Sequence, residues 1–171
     1  MNKKSFPYFP FAPNKFPVFY GWVITLMGTL GVLMSTPGQT IGLSTFTDSL
    51  IEALNINRDQ LSLAYMFGTI SSSLMLTRAG KLYDRYGVRP VAILASIGLA
   101  FGLLYLSKID VVTQLIANQL SIQNTFYAAF PLVLLGFLCI RFFGQGVLTL
   151  VSRTMMMKWF DQRRGLALGF S

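Results

Sequence analysis

The 171-residue chain contains no histidine, a single cysteine and only six acidic residues. Without histidine it lacks the commonest metal ligand and general base, and Cys139 has no second cysteine with which to form a disulfide within the chain. No Walker-type phosphate loop is visible, and the long apolar runs hold no carboxylate. We therefore expect no cofactor, no metal, no redox chemistry and no enzyme activity.

The chain is rich in apolar residues. Hydrophobic residues make up 53% of the chain and charged residues only 12%. Four apolar runs lie at about 18–36, 61–77, 90–106 and 126–151, and a fifth begins near Gly165. Because about 20 helical residues cross a bilayer core of roughly 30 Å, we predict an all-α integral membrane protein with four transmembrane helices and the start of a fifth. The lipid bilayer is its first expected partner.

The net positive charge indicates either nucleic acid binding or an excess of basic residues on one side of a membrane. The net charge is +8. If the N-terminal tail, the segment after the second run and the segment after the fourth run share one side, that side holds 11 of the 14 basic residues: Lys3, Lys4, Lys15, Arg78, Lys81, Arg85, Arg89, Arg153, Lys158, Arg163 and Arg164. The positive-inside rule then places the N-terminus in the cytoplasm, and we expect no nucleic acid partner. Residues 1–17 contain four prolines, so we predict a cytoplasmic tail there and no signal peptide.

Residues 80–89, which we call the signature segment, concentrate four charges and two glycines between two apolar runs. Gly80 predicts that the second helix ends and turns there, and Gly87 predicts a positive φ before the next helix. Asp84 is the single acid among Lys81, Arg85 and Arg89. The pattern predicts a tight, charged loop at a membrane surface.

The signature segment resembles the signature loop of the major facilitator superfamily, G-x-L-x-D-R-x-G-x-R, which joins the second and third transmembrane helices. The matching residues are Gly80, Leu82, Asp84, Arg85, Gly87 and Arg89. The resemblance implies secondary active transport of a small solute by alternating access, in a fold of two six-helix halves. It implies that residues 18–171 are a partial N-terminal half, that the missing C-terminal half is a further partner, and that Asp84 and its arginines gate the cytoplasmic side.

Two further segments extend the resemblance, the first to the superfamily in general and the second to its monocarboxylate-transporter-like and oxalate/formate-antiporter-like members. The sequence from Arg141 to Gly146 is similar to a fourth-helix motif, R-x-x-Q-G, with Gln145 one place late. The segment before the fifth helix matches an aromatic pair and a basic pair at Trp159, Phe160, Arg163, Arg164 and Gly165. The basic pair either joins the gate or contacts anionic lipid headgroups. The first run departs from these members, since Phe19 and Gly38 stand where they usually carry an acid and a lysine.

Arg141 is the leading candidate for a substrate-binding residue. An arginine near the bilayer centre costs about 2.5 to 3.5 kcal/mol, so it must face protein, a water-filled cavity or an anion. At α-helical spacing, Gln145 and Thr149 lie on the same face as Arg141, and a guanidinium can bind a carboxylate with two parallel hydrogen bonds. The hypothesis is a small organic anion, a monocarboxylate or dicarboxylate. A structural arginine is the open alternative, and a drug-like or neutral solute, or a remnant without transport activity, are the alternatives for function.

Polar residues in the first two runs extend this candidate cavity. The Pro37-Gly38 pair breaks the first helix, and freed backbone groups in a membrane are tolerated only inside protein or along a wet cavity. Gln39 and Thr40 are therefore candidate cavity residues, although a plain Pro-Gly kink for packing is the first reading of the break. Tyr65 and Thr69 repeat the polar pattern more weakly in the second run.

The two outer connections carry different predictions. Asp48, Glu52 and Asp59 give the first an acidic character, read either as solvated charges or as an ion site, and Asn57 predicts a cap for the second helix. In the second, residues 107–124, apolar residues at helical spacing predict a short amphipathic helix: Val112, Leu115, Ile116 and Leu120. The localisation that follows is a multi-pass protein of a bacterial inner membrane.

Overall fold

The computed structural model describes residues 20–119 and 125–160, together with Gly165 and Gly169, and every element in this part of the chain is helical. The elements are α1 (Tyr20–Met34), a 3₁₀ turn (Thr36–Gly38), α2 (Thr40–Leu54), α3 (Arg58–Tyr86), α4 (Val88–Ser107), α5 (Ile109–Gln119), α6 (Thr125–Ile140), a π-helical segment (Arg141–Leu148) and α7 (Thr149–Trp159). The predicted all-α fold is confirmed. The predicted tail, residues 1–17, lies outside the described residues.

The first apolar run forms two helices joined by one turn. Pro37 lies at the start of that turn, where its missing N–H costs no hydrogen bond. The Gly38 N–H donates to the Ser35 carbonyl at 2.9 Å, and α2 then begins at Thr40. The predicted acidic outer loop is therefore wrong for Asp48 and Glu52, which lie inside α2. The Pro-Gly break interrupts a single turn, and the helix resumes until Asn55 ends it in the left-handed conformation.

Helix α3 carries the signature segment. Its 29 residues span about 43 Å at 1.5 Å per residue, so it extends well beyond a bilayer core of roughly 30 Å. The predicted loop at Gly80 is wrong, because the helix continues to Tyr86. Gly87 has a φ of 84°, which confirms the positive φ predicted there, and α4 begins at the next residue. Asn57 is the N-cap, as predicted, and its N–H donates to Gln60 Oε1 at 3.0 Å.

Two helices of the described residues are long and apolar enough to cross a membrane: Val88–Ser107 and the continuous helix Phe126–Lys158. A shorter apolar helix covers Gly21–Met34. Helix α5 confirms the predicted helix in the second outer connection, but Ile109 and Thr113 are its buried residues, whereas Leu115 is exposed. Leu120 lies outside the described residues.

The core lies between α3, α4 and the continuous helix that α6, the π-helical segment and α7 form. Helices α3 and α6 meet at Gly68, where an added Cβ would lie 3.1 Å from the Cβ of Phe137. Large apolar side chains, in contrast, cover the outer faces: Leu26, Ile70, Leu74, Ile93 and Leu104 are all at least half exposed. Contiguous exposed apolar surface of this kind is expected where lipid, and not water, surrounds a protein.

Candidate functional site

The break in the first helix touches the π segment of the fourth span backbone to backbone. A Cβ on Gly38 would overlap the carbonyl oxygen of Ile140 and lie 2.9 Å from the Cα of Gly144. A Cβ on Gly144 would lie 2.9 Å from the Cα of Gly38. Only glycine fits at a contact this close, and the contact places the freed carbonyls of the 3₁₀ turn beside Arg141.

The Arg141 side chain is 9% exposed and hydrogen-bonds to three neighbouring helical segments. Its Nε donates to Thr69 Oγ1 of α3 at 3.2 Å. Its Nη1 donates to the Gly38 carbonyl and to Thr40 Oγ1, both at 3.5 Å, and also to Gln145 Oε1. We call this arginine and its contacts the Arg141 site. The site joins the predicted candidates Thr40, Arg141 and Gln145.

An aromatic ring completes one side of the site. The guanidinium carbon of Arg141 lies 4.9 Å from the centre of the Tyr65 ring, a cation–π distance. The Tyr65 hydroxyl and Thr40 Oγ1 lie 3.0 Å apart and share a hydrogen bond. Tyr65 and Thr69 therefore belong to the site, although their sequence signal was the weaker repeat of the polar pattern in the second run.

The site carries a positive charge that no carboxylate neutralises within the described residues. Every contact of Arg141 is to a hydroxyl, an amide, a carbonyl or an aromatic ring. The ion pair found in this part of the chain joins Arg58 to Asp48, both of them exposed. Nη2 of Arg141 makes no hydrogen bond to the described residues, so its two N–H groups are available to an acceptor. Residues 20–119 and 125–160 contain no cluster of metal-ligating side chains.

Gln39 and Thr149 form a second polar cluster, separate from Arg141. Gln39 Nε2 donates to Ser35 Oγ at 2.8 Å, and Thr149 Oγ1 donates to the same oxygen at 3.0 Å. Ser35 is fully buried, and its hydroxyl donates to the Val32 carbonyl at 2.6 Å. Sequence analysis missed Ser35, and its signal was its position directly before the Thr-Pro-Gly break. This cluster ties the break to the start of α7.

The π segment changes the predicted polar stripe of the fourth span. Spacing along an ideal α-helix placed Gln145 and Thr149 on one face with Arg141. Gln145 does contact Arg141, whereas Thr149 is buried and bonds to Ser35. The wider turns of a π-helix shift the register, as shown by the hydrogen bond from the backbone N–H of Thr149 to the carbonyl of Gly144, five residues earlier. The fourth-helix motif has two residues between its arginine and its glutamine, whereas this chain has three between Arg141 and Gln145. The additional residue lies inside the π-helical segment, whose wider turns accommodate it.

The charges of the signature segment lie at the surface. Asp84, Arg85 and Arg89 are exposed, and none of them forms an ion pair with the described residues. The Arg85 guanidinium lies 5.4 Å from the centre of the Tyr86 ring. Behind them the Tyr83 ring is buried, with Lys158 Nζ 4.6 Å from its centre. The described residues therefore supply no ion-pair partner for these three charges.

Two of the five candidate residues before the fifth helix lie outside the described residues. Helix α7 ends at Trp159, and Phe160 follows with an extended backbone. Arg163 and Arg164 lie outside the described residues, and Gly165 is described only as helical. The proposed start of the fifth helix at Gly165 stays a prediction.

Comparison with known proteins gives one family. The model described as Major Facilitator Superfamily matches residues 28–171, which is more than half of the chain. No curated protein and no solved structure matches the chain.

Proposed function

Because the chain belongs to the Major Facilitator Superfamily, whose members are membrane transporters and not enzymes, we propose that the solute it helps to carry across the membrane is a small organic anion bound by Arg141. Membership of the superfamily establishes that the protein takes part in membrane transport and is a multi-pass membrane protein. The anionic substrate is our inference from the Arg141 site. The observation that carries it is a buried guanidinium surrounded by neutral groups alone.

The energetics favour an anionic ligand over a neutral one. A guanidinium at membrane depth costs several kcal/mol unless charge or hydrogen bonds compensate it. The neutral contacts of Arg141 supply part of that compensation, and a carboxylate on the free Nη2 group would supply the rest through charge-assisted bonds. The same contacts also serve a structural arginine that links the broken first helix to α3, so binding must be tested directly.

The finer assignments rest on resemblance and charge distribution. We propose that the transporter is monocarboxylate-like or oxalate/formate-antiporter-like, which the resemblance of the segment before the fifth helix supports. We propose a cytoplasmic N-terminus in a bacterial inner membrane, supported by the excess of lysine and arginine on one side. We propose that a second set of helices completes the path and meets Asp84, Arg85 and Arg89 at a cytoplasmic gate.

The test is uptake of radiolabelled oxalate, formate, lactate and pyruvate by vesicles that carry the full reading frame. We expect saturable uptake of at least one acid, reduced at least about tenfold by Arg141→Gln, because the loss of one charge-assisted contact is worth about 1.5 to 3 kcal/mol. Arg153→Gln is the matched control, since Arg153 lies on the same continuous helix but is exposed. It should retain wild-type uptake.

Each other outcome has a definite meaning. Equal uptake by wild type and by an Arg141→Gln variant that inserts normally would make Arg141 structural. Uptake of no acid by the wild type would overturn the organic-anion proposal and favour a drug-like or neutral solute, or a protein that no longer transports.

A further inference from the structure

We infer that a hydroxyl-lined groove beside Arg141 binds the hydroxyl groups of the substrate, so that the carried anion is a short hydroxylated carboxylate. This inference rests on the proposed function, because it assumes that Arg141 binds the carboxylate. It adds a second subsite, and with it a substrate class.

The groove lies between α2 and α3, and Phe137 of α6 contributes to its lining. Its volume is about 150 Å³. Five of its lining residues carry a hydroxyl group: Thr40, Ser44, Thr47, Ser62 and Tyr65. The three on α2 follow one another at intervals of four and three residues, so they share one face of that helix. The groove thus carries a row of hydroxyls on a surface that is otherwise mostly apolar.

The groove is continuous with the Arg141 site. Thr40 Oγ1 accepts from Arg141 Nη1 at 3.5 Å and shares a hydrogen bond of 3.0 Å with the Tyr65 hydroxyl. The Tyr65 ring also lies against the guanidinium. A molecule whose carboxylate contacts Arg141 therefore has its next atoms beside the first two hydroxyls of the groove.

The hydrogen bonds within the groove define what it can bind. Ser44 donates to the Ile41 carbonyl at 2.7 Å, and Thr47 donates to the Leu43 carbonyl at 3.1 Å. Each hydroxyl has one proton, so both oxygens can act toward the groove only as acceptors. Thr40 and Tyr65 together have two protons and use one between themselves, which leaves one to donate. Ser62, the fifth hydroxyl of the lining, can donate or accept. The groove therefore offers acceptors at Ser44 and Thr47, and donors at Ser62 and near Arg141.

A hydroxyl group matches this mixture, because it donates one hydrogen bond and accepts others. A second carboxylate only accepts and would leave Ser44 and Thr47 without donors. An ammonium group only donates and would prefer a carboxylate partner, which the groove lining does not contain. The volume of about 150 Å³ suits a short chain.

The experiment compares D-glycerate, which carries two hydroxyls, with propionate, which has the same carbon chain and none. Initial uptake of each radiolabelled acid is measured in vesicles with the full reading frame, after subtraction of uptake by empty vesicles. We expect glycerate to be preferred about tenfold, because two hydrogen bonds are gained or lost together. Ser44→Ala combined with Thr47→Val should lower that preference to about threefold or less.

The controls separate the groove from helical hydroxyls in general. Ser96→Ala removes an exposed hydroxyl of α4 that likewise donates to its own helix, at 2.9 Å to Ala92, and it should keep the wild-type preference. Thr47→Ser retains the groove hydroxyl and should keep it as well. Equal uptake of the two acids by the wild type, or a preference that the double variant does not alter, would overturn this inference and leave the anion proposal standing. Uptake of neither acid, nor of any acid in the earlier panel, would overturn both.

Discussion

Two charged regions of this protein differ in how far the chain itself completes them. Arg141 is 9% exposed and has four hydrogen-bond partners, Thr69, Gly38, Thr40 and Gln145. At the end of α3 and the start of α4, the charges of the signature segment are exposed and form no ion pair within the described residues. The first region is an assembled site, whereas the second is a set of exposed charges without ion-pair partners in the described part of the chain.

Burial explains why the two regions differ. A buried guanidinium needs hydrogen-bond partners, because each unpaired donor costs about 1 to 3 kcal/mol; Nε and Nη1 of Arg141 have theirs among the described residues, and Nη2 is left for a ligand. An exposed carboxylate or guanidinium has water as its partner and needs no contact from the protein. Substitutions around Arg141 should therefore change the stability of this chain, and substitutions of the exposed charges of the signature segment should leave it unchanged.

The largest effect on stability is expected at Gly38, where the broken helix touches the π segment. Gly38→Ala places a Cβ against the Ile140 carbonyl and 2.9 Å from both the Gln145 nitrogen and the Gly144 Cα, so one backbone must move. Overpacking of this kind costs about 1 to 3 kcal/mol. Thermal unfolding in detergent micelles, followed by loss of helical circular dichroism, should show a lower transition temperature than the wild type.

Gly80→Ala, in the signature segment, is the matched control. Nothing lies within 4 Å of a Cβ at Gly80, and the residue is inside a helix, where alanine is favoured over glycine by about 0.5 to 1 kcal/mol. The variant should be as stable as the wild type or more so. Two variants with equal losses of stability would contradict the distinction between the regions.

A smaller effect is expected at Thr69, which accepts from Arg141 Nε at 3.2 Å. Thr69→Val keeps the shape of the side chain but removes the acceptor, so a buried donor loses its partner at a cost of about 1 to 2 kcal/mol. Ser73→Ala is its control, because Ser73 lies four residues further along α3, is exposed and only donates to the Thr69 carbonyl. The same unfolding measurement should lower the transition for Thr69→Val alone. No difference between the two would mean that the bond contributes nothing to stability.

The sequence predicted the helices more reliably than their limits. Apolar runs and the caps at Asn57 and Gly87 were sufficient for the all-α fold. Two limits were wrong for physical reasons. Pro37 and Gly38 interrupt only one turn, so Asp48 and Glu52 lie in a helix. Gly80 tolerates a helical interior, and the charges after it lie beyond the apolar core, so α3 continues where a loop was predicted.

The Arg141 site was partly predictable, because a buried arginine and a Pro-Gly break both require polar neighbours. Arg141, Gln145 and Thr40 do meet, whereas Gln39 and Thr149 meet each other through Ser35. Periodicity could not reveal this division, because it assumes α-helical turns and the fourth span contains a π segment. The displaced Gln145 was the visible sign of that change in register. Ser35 is a small residue with no pattern of its own, and only the packing of three helical segments shows its role.

The smallest effect on stability, and the sharpest test of the comparison, is expected from Asp84→Asn. Asp84 is exposed and unpaired within the described residues. Its substitution should therefore change the free energy of unfolding by no more than about 0.5 kcal/mol, the range of a surface substitution, and leave the transition temperature nearly unchanged. Uptake by the full reading frame should nevertheless fall, since we propose that the Asp84 carboxylate binds the opposite half at the cytoplasmic gate. Glu52→Gln, an exposed acid of α2 outside the signature segment, should change neither quantity. If Asp84→Asn destabilised this chain as strongly as Thr69→Val does, the aspartate would have its partner within this chain. A change in uptake without a change in stability would place that partner outside it, as a gate between two halves requires.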